Sequence, residues 1–531
     1  MRSPSRSRRV ARGLFVAVAA VAALALAACS TTTDGPSDDV DQTFVIGSTM
    51  SAFPSLDSGA ITTGGYEAQR LIGNLIYEGL TKRDVSDPDS PAGVAPALAE
   101  SWDVSEDGLT YTMHLREGVV FHDGTAFDAD AVVFNLERYT DESNPYYSES
   151  VVTYYSVLDR LTGFTAVDAS TVELTLAEPY SFFLADLYNV YIASPTSLEE
   201  SGAEGQASHP VGTGPFAFDS VSGNEQLTMV RNDDWWGDGP LLDTIVVKLI
   251  PDSAARVAAL RAGSVDWIES VSPDDIASLE AAGFQVTSQA YDMSWFWWLK
   301  VDEEPFDDVR VRQAINYAID REALADGLLG GTAVPTGQLL TPANVFYDES
   351  AEVYDYDPDR AIELLTEAGY PDGIDVKIGY RTSGSGTMQP QSMNEALQAQ
   401  LAEVGIRVTL EPVEGSSMTT RVTSGDNDWQ GWNAPLSLEQ PGSWGFIFRC
   451  GESRNGYCNP EAEALLDEAL ATVDTAEQTA LMQQVAAIIT EDAPWLFVVA
   501  DTAPRAMSAA VAGYEQPMSW WVEFNSVYLT E

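Results

Sequence analysis

The sequence predicts an α/β protein with two or three lobes, and three observations lead to that prediction. Strand-like runs alternate with helical blocks, which is typical of α/β lobes and not of a helical bundle or a β-sandwich. The 531 residues are 45% hydrophobic and 10% aromatic, which is ample for a large core and more than one ordinary domain needs. Helix start signals recur along the chain without any internal repeat.

Three helix starts share one pattern, a capping side chain followed by proline. They are Ser272-Pro273, Asp357-Pro358 and Asn459-Pro460. Within residues 309–329, apolar side chains recur at helical spacing from Val311 to Ile319. One face of that helix must therefore be buried.

Seven runs have the composition of strands: TFVIGS, LTYTMHL, TVELTLA, TIVVKLI, FQVTSQA, DVKIGY and IRVTLEPV. A dense aromatic run, Trp295 to Trp298, follows the fifth of them. Alternate residues of a strand point to opposite faces, so some rings of this run face a different side from the others. We interpret most of these rings as core, with a cleft lining that stacks on sugars or ligand side chains as the alternative.

Residues 1–28 have the layout of a secretory signal. Five Arg and no acid occupy the first thirteen positions, and an apolar run of fifteen residues follows. That run is shorter than the roughly 20 residues that span a hydrocarbon core. It ends in LAAC, which resembles a bacterial lipobox and implies cleavage before Cys29 and lipidation of its thiol. A signal anchor or an ordinary signal peptide is the alternative, and residues 29–41 are expected to form a flexible tether.

The charge argues against nucleic acid and anionic lipid headgroups as partners. The formal net charge is −54, and removal of the five signal Arg leaves 22 basic against 81 acidic residues, or −59. Such a surface repels polyanions. A cationic ligand is compatible with this charge, but adaptation to solubility or salt explains it more simply.

The cysteines predict a disulfide and no metal site. With Cys29 assigned to the lipid, Cys450 and Cys458 remain, eight positions apart. Outside the cytoplasm we interpret them as a disulfide that closes a small loop. A metal would need further ligands nearby, and none of the three His is close in sequence.

Motifs for catalysis or cofactor binding are few. The sequence lacks HExxH, GxSxG and GxxxxGK[ST]. A strand-like run follows the GTG at 212–214, so we interpret it as a turn and not as a nucleotide loop. His122 in FHDGTAF fits a hydrogen-bonded turn better than a metal ligand. A pair of catalytic carboxylates like that of a glycosidase is left open as an alternative, because the sequence does not give the distance between acids. No catalytic residue and no cofactor is predicted.

Residues 98–138 resemble the signature of solute-binding protein family 5, the dipeptide and oligopeptide receptors of ABC importers. Further family motifs follow in order: VGTGPFAF at 211–218, RNDDWWG at 231–237, LRAGSVDWI at 260–268, PFDDVRVRQAINYAIDRE at 305–322, NPEAEALLDEA at 459–469 and TEDAPWLFVV at 490–499. The resemblance covers essentially the whole chain after the signal.

The family implies a two-lobed, class II periplasmic-binding-protein fold of the α/β class, with an extra subdomain and a ligand enclosed between the lobes. By this resemblance, residues 42–297 and 500–531 form a discontinuous first lobe that carries the extra subdomain at about 85–205. Residues 298–499 form the second lobe.

The resemblance also implies ligand-binding residues. In peptide-binding relatives an Arg after a strand binds the peptide carboxylate, and Arg381 occupies the matching place, with a solvated loop Arg as the alternative. Relatives also carry Gly-Trp followed three residues on by an Asp that pairs with the peptide amine. Here Trp432 is kept, but Pro435 stands at the Asp position, which leaves Glu439 as a substitute. Asn433, Trp295 and Trp297 complete the predicted contacts, and the Cys450–Cys458 loop matches a disulfide loop of relatives.

The predicted function is therefore that of a non-enzymatic receptor, lipid-anchored to the outer face of the cell membrane. It is expected to act as a monomer that captures short peptides and delivers them to an ABC permease. An oligosaccharide receptor on the same fold is the first alternative, favoured by the 13 Trp and the missing Asp. A secreted hydrolase is the alternative from another class, and a nickel or haem receptor ranks lower because His is scarce.

Overall fold

The computed structural model describes Gly35, Ser37 and residues 39–61, 65–147, 157–351, 354–382, 386 and 388–531. The predicted signal peptide, Cys29 and most of the predicted tether lie outside these residues. Within the described part of the chain, no helix is both long enough and apolar enough to cross a bilayer.

The strands are β1 Thr43–Ser48, β2 Thr81–Asp84, β3 Gly93–Pro96, β4 Ala99–Val104, β5 Thr110–Leu115, β6 Leu161–Asp168, β7 Thr171–Leu176, β8 Phe216–Ser222, β9 Gln226–Arg231, β10 Thr244–Leu249, β11 Trp267–Ile268, β12 Gln285–Thr287, β13 Ser294–Leu299, β14 Ala333–Pro335, β15 Ile374–Arg381, β16 Ile406–Val413, β17 Gly431–Asn433, β18 Trp495–Asp501, β19 Arg505–Met507, β20 Val511–Ala512 and β21 Tyr528–Leu529. Each of the seven runs predicted as strands overlaps one of these strands.

The α-helices are α1 Gly65–Ala68, α2 Asn74–Ile76, α3 Ala129–Thr140, α4 Phe183–Asp186, α5 Pro195–Ser208, α6 Ser253–Arg261, α7 Pro273–Ala281, α8 Val309–Tyr317, α9 Pro358–Glu367, α10 Pro390–Glu403, α11 Gly415–Ser424, α12 Trp444–Phe448, α13 Pro460–Ala471 and α14 Thr475–Asp492. Short π-helical turns occupy Gln69–Gly73 and Ala323–Leu328, and 3₁₀ turns occupy Leu158–Arg160, Leu187–Asn189, Glu349–Ala351 and Pro441–Ser443.

The first lobe is organised around a seven-stranded sheet with the order β12-β19-β11-β1-β10-β9-β8. Strand β1 lies near its centre and runs parallel to both β10 and β11. The alternating burial of β1 places Phe44 and Ile46 in a core that also holds Trp267. This lobe therefore has parallel strands whose carboxyl ends meet at one edge.

The second lobe is organised around a six-stranded sheet with the order β14-β18-β13-β17-β15-β16. Strand β15 is parallel to β16 and β17, whereas β13 is antiparallel to β17 and β18. All six residues of β13 are buried, because hydrophobic clusters cover both faces of the sheet. Phe296 and Trp298 face one cluster, and Trp295 and Trp297 face the other.

A smaller four-stranded antiparallel sheet, β4-β5-β7-β6, lies within the first half of the chain. Helix α3 packs on it, and Asp128 caps that helix by accepting a hydrogen bond from the Ala131 N–H at 3.0 Å. The region that carries this sheet also contacts the second lobe, since the rings of Phe182 and Phe346 lie 5.9 Å apart, edge to face. The α/β fold class predicted from the sequence is confirmed.

The three helix starts with proline are confirmed, with one difference in capping. Asp357 accepts from the Arg360 N–H at 2.9 Å, and Asn459 accepts from the Glu461 N–H at 3.0 Å. Ser272 occupies the cap position of α7, but its side chain makes no capping hydrogen bond. Helix α8 ends at Tyr317, earlier than the length of the predicted run, and the apolar face predicted from its spacing is buried.

The chain crosses between the two sheets between β12 and β13, and again between β18 and β19. The two crossings are held side by side, because the Gln289 N–H donates to the Thr502 carbonyl at 3.0 Å and the Asp501 N–H donates to the Met293 carbonyl at 3.1 Å. The two lobes are thus joined by a pair of adjacent segments. The residue boundaries predicted for the lobes and the extra subdomain stay predictions.

A disulfide joins Cys450 and Cys458 between α12 and α13. It closes a loop whose Asn455 donates to the carbonyls of Leu299 at 2.9 Å and Pro494 at 3.1 Å. The loop is therefore attached to the ends of two strands of the second lobe.

Candidate ligand-binding cleft

A cleft of about 1090 Å³ lies between the two lobes. This volume is slightly larger than the roughly 300–1000 Å³ that is typical of small-molecule sites. The first lobe contributes residues 49–52, 65–67 and 270–273, and the second contributes 381–382, 388–390, 414–415 and Pro435. The last residue of β18 and the second crossing contribute Asp501, Ala503 and Pro504.

The sheet topology explains why these segments meet. Residues 49–52 follow the carboxyl end of β1, and 270–273 follow that of β11. In the second lobe, residues 414–415 follow β16, and Pro435 follows β17. Both sheets therefore direct the carboxyl ends of their parallel strands into one cleft, which is where α/β sheets place ligands.

Arg381 is the last residue of β15 and lines the cleft, where its side chain is half-buried. Its Nη2 donates to the Gly415 carbonyl at 3.4 Å, a contact within the same wall of the cleft. The structure therefore places this predicted carboxylate-binding residue at the site. Its role towards a ligand stays a prediction.

Trp432, Asn433, Trp295 and Trp297 do not lie among the described residues that line the cleft. Trp432 stacks on Trp298, with ring centroids 5.7 Å apart, and Asn433 donates to the Phe296 carbonyl at 2.8 Å. The indole N–H of Trp297 donates to Asn394 at 2.8 Å. All four side chains are buried and contact neighbouring parts of the second lobe, and their predicted ligand contacts remain untested.

Glu439 lies 3.8 Å from Arg83 of β2, and both side chains are largely buried. Its carboxylate also accepts from the Ser519 hydroxyl at 3.1 Å. The next residue, Gln440, donates to the Tyr188 hydroxyl, and Arg83 lies over the Tyr188 ring at 4.5 Å. Glu439 is thus engaged in a contact between the second lobe and the first, and does not line the cleft described above.

Sequence reasoning missed Asp501, the last residue of β18, which also lines the cleft. Its carboxylate accepts from the Tyr291 hydroxyl at 2.8 Å and from the Ala503 N–H at 2.9 Å. Burial raises the pKa of this carboxyl above its ordinary value. The only signal in the sequence was an acid directly after the apolar run WLFVVA.

Arg256 of α6 is a second cleft residue that the sequence did not reveal. Its guanidinium donates to the main-chain carbonyls of Glu269 at 3.0 Å, Ile250 at 2.8 Å and Ser270 at 3.1 Å. Burial lowers its pKa to about 10. These donors hold the loops after β10 and β11 in place, so Arg256 shapes the wall of the cleft.

Glu269 supports the same wall from behind. It accepts from the Thr49 N–H at 2.9 Å and pairs with Arg70, whose guanidinium lies 4.3 Å from the centre of the Trp520 ring. Burial lowers the pKa of Arg70 to about 9. The segment that begins the cleft at Thr49 is therefore attached to a buried ion pair.

The turn interpretations of GTG and His122 agree with the structure. A Cβ at Gly212 would lie 2.1 Å from the Ile76 carbonyl oxygen, so the backbone there admits only glycine. His122 Nε2 lies 2.9 Å from the Gly214 carbonyl oxygen. Among the residues that the structure describes, no group of three or more His, Cys, Asp or Glu is arranged to hold a metal ion.

Comparisons with known proteins agree with this architecture. Residues 93–455 match the family model described as "Bacterial extracellular solute-binding proteins, family 5 Middle". Heme-binding protein A of Haemophilus influenzae is 31% identical over 462 residues, which cover 80% of this chain and 82% of that protein. Glutathione-binding protein GsiB of Escherichia coli O1:K1 / APEC is 32% identical over 442 residues, covering 78% and 82%.

A solved structure extends the likeness to the whole fold. The periplasmic binding protein DppA of Helicobacter pylori, an ABC transporter-associated protein in complex with peptide STSA, superposes with a TM-score of 0.78 at 28% identity. The match covers 92% of this chain and 98% of that one. The two lobes, the cleft at the carboxyl ends of their parallel strands, and these matches lead to one conclusion: the chain belongs to family 5 of the bacterial extracellular solute-binding proteins.

Proposed function

We propose that the chain is an extracytoplasmic receptor of an ABC importer that captures short peptides in the cleft between its lobes. The observation that carries this proposal is the position of Arg381 at the end of β15, on the wall of a cleft of about 1090 Å³. Family 5 solute-binding proteins are transport receptors, so the proposed activity is binding and release without chemical change.

Arg381 supplies the charge that the carboxyl end of a peptide requires. A guanidinium binds a carboxylate through two parallel hydrogen bonds, which fixes direction as well as affinity. The side chain is half-buried and lines the cleft. Partial desolvation strengthens such a bond relative to one in water.

Peptides are favoured over sugars by the aromatic residues of the cleft. No Trp lies among the described residues that line it, and its aromatic side chain is Tyr66. The Trp-rich run that favoured sugar stacking is instead buried in β13. Two of the three relatives named above also favour a peptide ligand, since glutathione and STSA are both peptides.

Capture is proposed to occur by closure of the lobes. A ligand that contacts both walls favours the closed form by its difference in affinity for the two forms. The contact of Arg83 with Glu439 and the bond from Gln440 to Tyr188 join the two lobes, and both belong to the surfaces that closure would bring together. The closed receptor then docks on a membrane permease and acts as a monomer.

Anchoring to the outer face of the cell membrane through a lipid on Cys29 is part of the same proposal. Its support is the lipobox-like LAAC, which lies outside the described residues. Metabolic labelling with a palmitate analogue tests it: wild type should incorporate the label, and Cys29→Ser should not.

Native mass spectrometry of the purified protein, followed by calorimetric titration with peptides and with gluco- and xylo-oligosaccharides, tests the ligand class. Saturable binding of peptides, with the peptide recovered intact, is expected. Saturable heat from sugars alone, or recovery of cleaved peptide, would overturn the proposal.

A further inference from the structure

A second, smaller cavity lies within the first lobe, outside the cleft. Its volume is about 80 Å³, enough for roughly five to eight groups of the size of a water molecule. It lies between residues 74–79, strand β2 and residues 521–525 near the end of the chain. The described residues that line it include none that line the cleft, so a ligand here is distinct from the proposed peptide.

Aromatic side chains form much of the wall of this cavity. They are Tyr77, Tyr188, Trp235, Trp521 and Phe524. The rings of Tyr188 and Trp521 meet edge to face, with centroids 5.1 Å apart. The face of an aromatic ring carries partial negative charge and attracts cations. Such a wall therefore favours a cation that has an apolar surface.

Glu78 brings a carboxylate to the same cavity. It accepts hydrogen bonds from the indole N–H groups of Trp235 at 3.3 Å and Trp236 at 3.0 Å, and from the Thr213 hydroxyl at 2.9 Å. These donors are neutral. Burial raises the pKa of this carboxyl to about 7, and Lys82 opposes that shift least among the groups that act on it. The negative charge of Glu78 is therefore weakly compensated, and a bound cation would compensate it.

The other charged side chains among the described residues of the cavity have charged neighbours of their own. Lys82 pairs with Glu523 at 2.7 Å, and both side chains are exposed. The guanidinium of Arg83 lies 3.8 Å from Glu439 of the second lobe, so its charge acts on the contact between the lobes. Glu78 therefore decides the sign of the charge that a ligand of this cavity meets.

Asn525 adds a second polar group to the cavity. Its side-chain oxygen is buried and has no hydrogen-bond partner within the described part of the chain. A buried acceptor without a donor is unfavourable, so this oxygen favours a ligand that donates a hydrogen bond. Because the cavity is small, one ligand can reach both Asn525 and Glu78.

We propose that this cavity binds a small alkylammonium ion. Glu78 compensates the charge of the ion, Asn525 accepts from its N–H, and the aromatic wall contacts its alkyl groups. The inference goes beyond the proposed capture of peptides and does not rest on it. Since the net charge of −54 attracts cations to the whole surface, the test has to separate this cavity from general attraction.

Calorimetric titration with trimethylammonium chloride tests the proposal, with sodium chloride at equal ionic strength and neutral tert-butyl alcohol as comparisons. Saturable heat is expected from trimethylammonium alone. Between about pH 6 and about pH 8, the ionised fraction of Glu78 rises from about a tenth to about nine tenths, so binding should strengthen roughly 10-fold. General attraction to surface carboxylates should change little over this range, because their pKa values lie at about 4.

Two variants change the groups that recognise the ion. Glu78→Gln keeps the shape of the side chain without its charge, and should weaken binding at about pH 8 by roughly 10-fold and remove the dependence on pH. Asn525→Ala removes the acceptor and should weaken binding by roughly 2- to 10-fold. Thermal melting checks that each variant is folded.

Asp266→Asn is the matched control, because Asp266 is a partly buried carboxylate of the first lobe that accepts from the Val45 N–H at 2.8 Å and does not line the cavity. It should bind trimethylammonium as wild type does. Absence of saturable heat from trimethylammonium, equal binding at both pH values, or full binding by Glu78→Gln would refute the inference. None of these results bears on the titration of the cleft with peptides, so the two proposals fail separately.

Discussion

Replacement of Arg381 by Gln should remove the recognition of the peptide carboxyl end. The guanidinium donates to the Gly415 carbonyl at 3.4 Å and lines the cleft, where the proposed function has it bind the ligand carboxylate. A hydrogen bond to a charged group contributes about 1.5–3 kcal/mol. Because the side chain is half-exposed, the loss for the pair of bonds should stay in that range, or roughly 10- to 150-fold in Kd.

The assay is a double-mutant cycle by calorimetry, with free-acid and C-terminally amidated forms of one peptide. Wild type should bind the acid more tightly than the amide by the factor above, and Arg381→Gln should bind both forms equally weakly. Arg381→Lys keeps the charge but loses the fork, so it should recover only part of the preference.

Arg421→Gln serves as the control, because Arg421 belongs to the same lobe, pairs with Glu411 at 2.6 Å and does not line the cleft. It should keep the full preference for the acid. A wild-type protein that bound acid and amide equally would refute the assignment of Arg381 and, with it, the direction of the bound peptide.

Two further predictions concern stability. Glu439→Gln removes one of the carboxylates that act on the buried Arg83, the other being Asp186, and should lower stability by up to about 3 kcal/mol. Calorimetric melting should show this, whereas Arg407→Gln, which breaks an exposed pair with Asp375, should change stability by less than about 0.5 kcal/mol. Burial raises the pKa of Asp292 from its ordinary value of 3.8 to about 7, so the unfolded chain releases this proton at lower pH than the folded chain does. Stability should therefore fall as the pH rises from about 4 to about 7, and Asp292→Asn should flatten that part of the melting profile, whereas an unchanged slope would show that Asp292 does not cause it.

Local signals in the sequence predicted much of the fold. Asp357 and Asn459 predicted where their helices begin, because a capping side chain and the proline that follows act within one helical turn. The strands could be predicted for a similar reason, because β-branched residues and alternating apolar residues favour an extended backbone at their own positions. The sequence also predicted that Ser272 caps its helix. Its side chain makes no capping hydrogen bond, although it occupies the cap position of α7.

The site was predicted less well, and the reason is physical. Trp295 and Trp297 show the limit: alternation along a strand did not reveal which rings are covered, and a second hydrophobic cluster covers the face that these two share. Glu439 shows it again, because its partner Arg83 is far away in sequence and no local pattern announces an ion pair of that kind.

The sequence by itself determined the α/β class, the positions of most helices and strands, the family and Arg381 as the candidate for the ligand carboxylate. Only the tertiary structure decided which side chains reach the cleft. Asp501, Arg256 and Tyr66 come from distant parts of the chain and meet there because two sheets direct the ends of their strands towards one another. The direction and neighbours of a side chain at a strand end depend on the packing of both lobes, which no short segment of sequence contains.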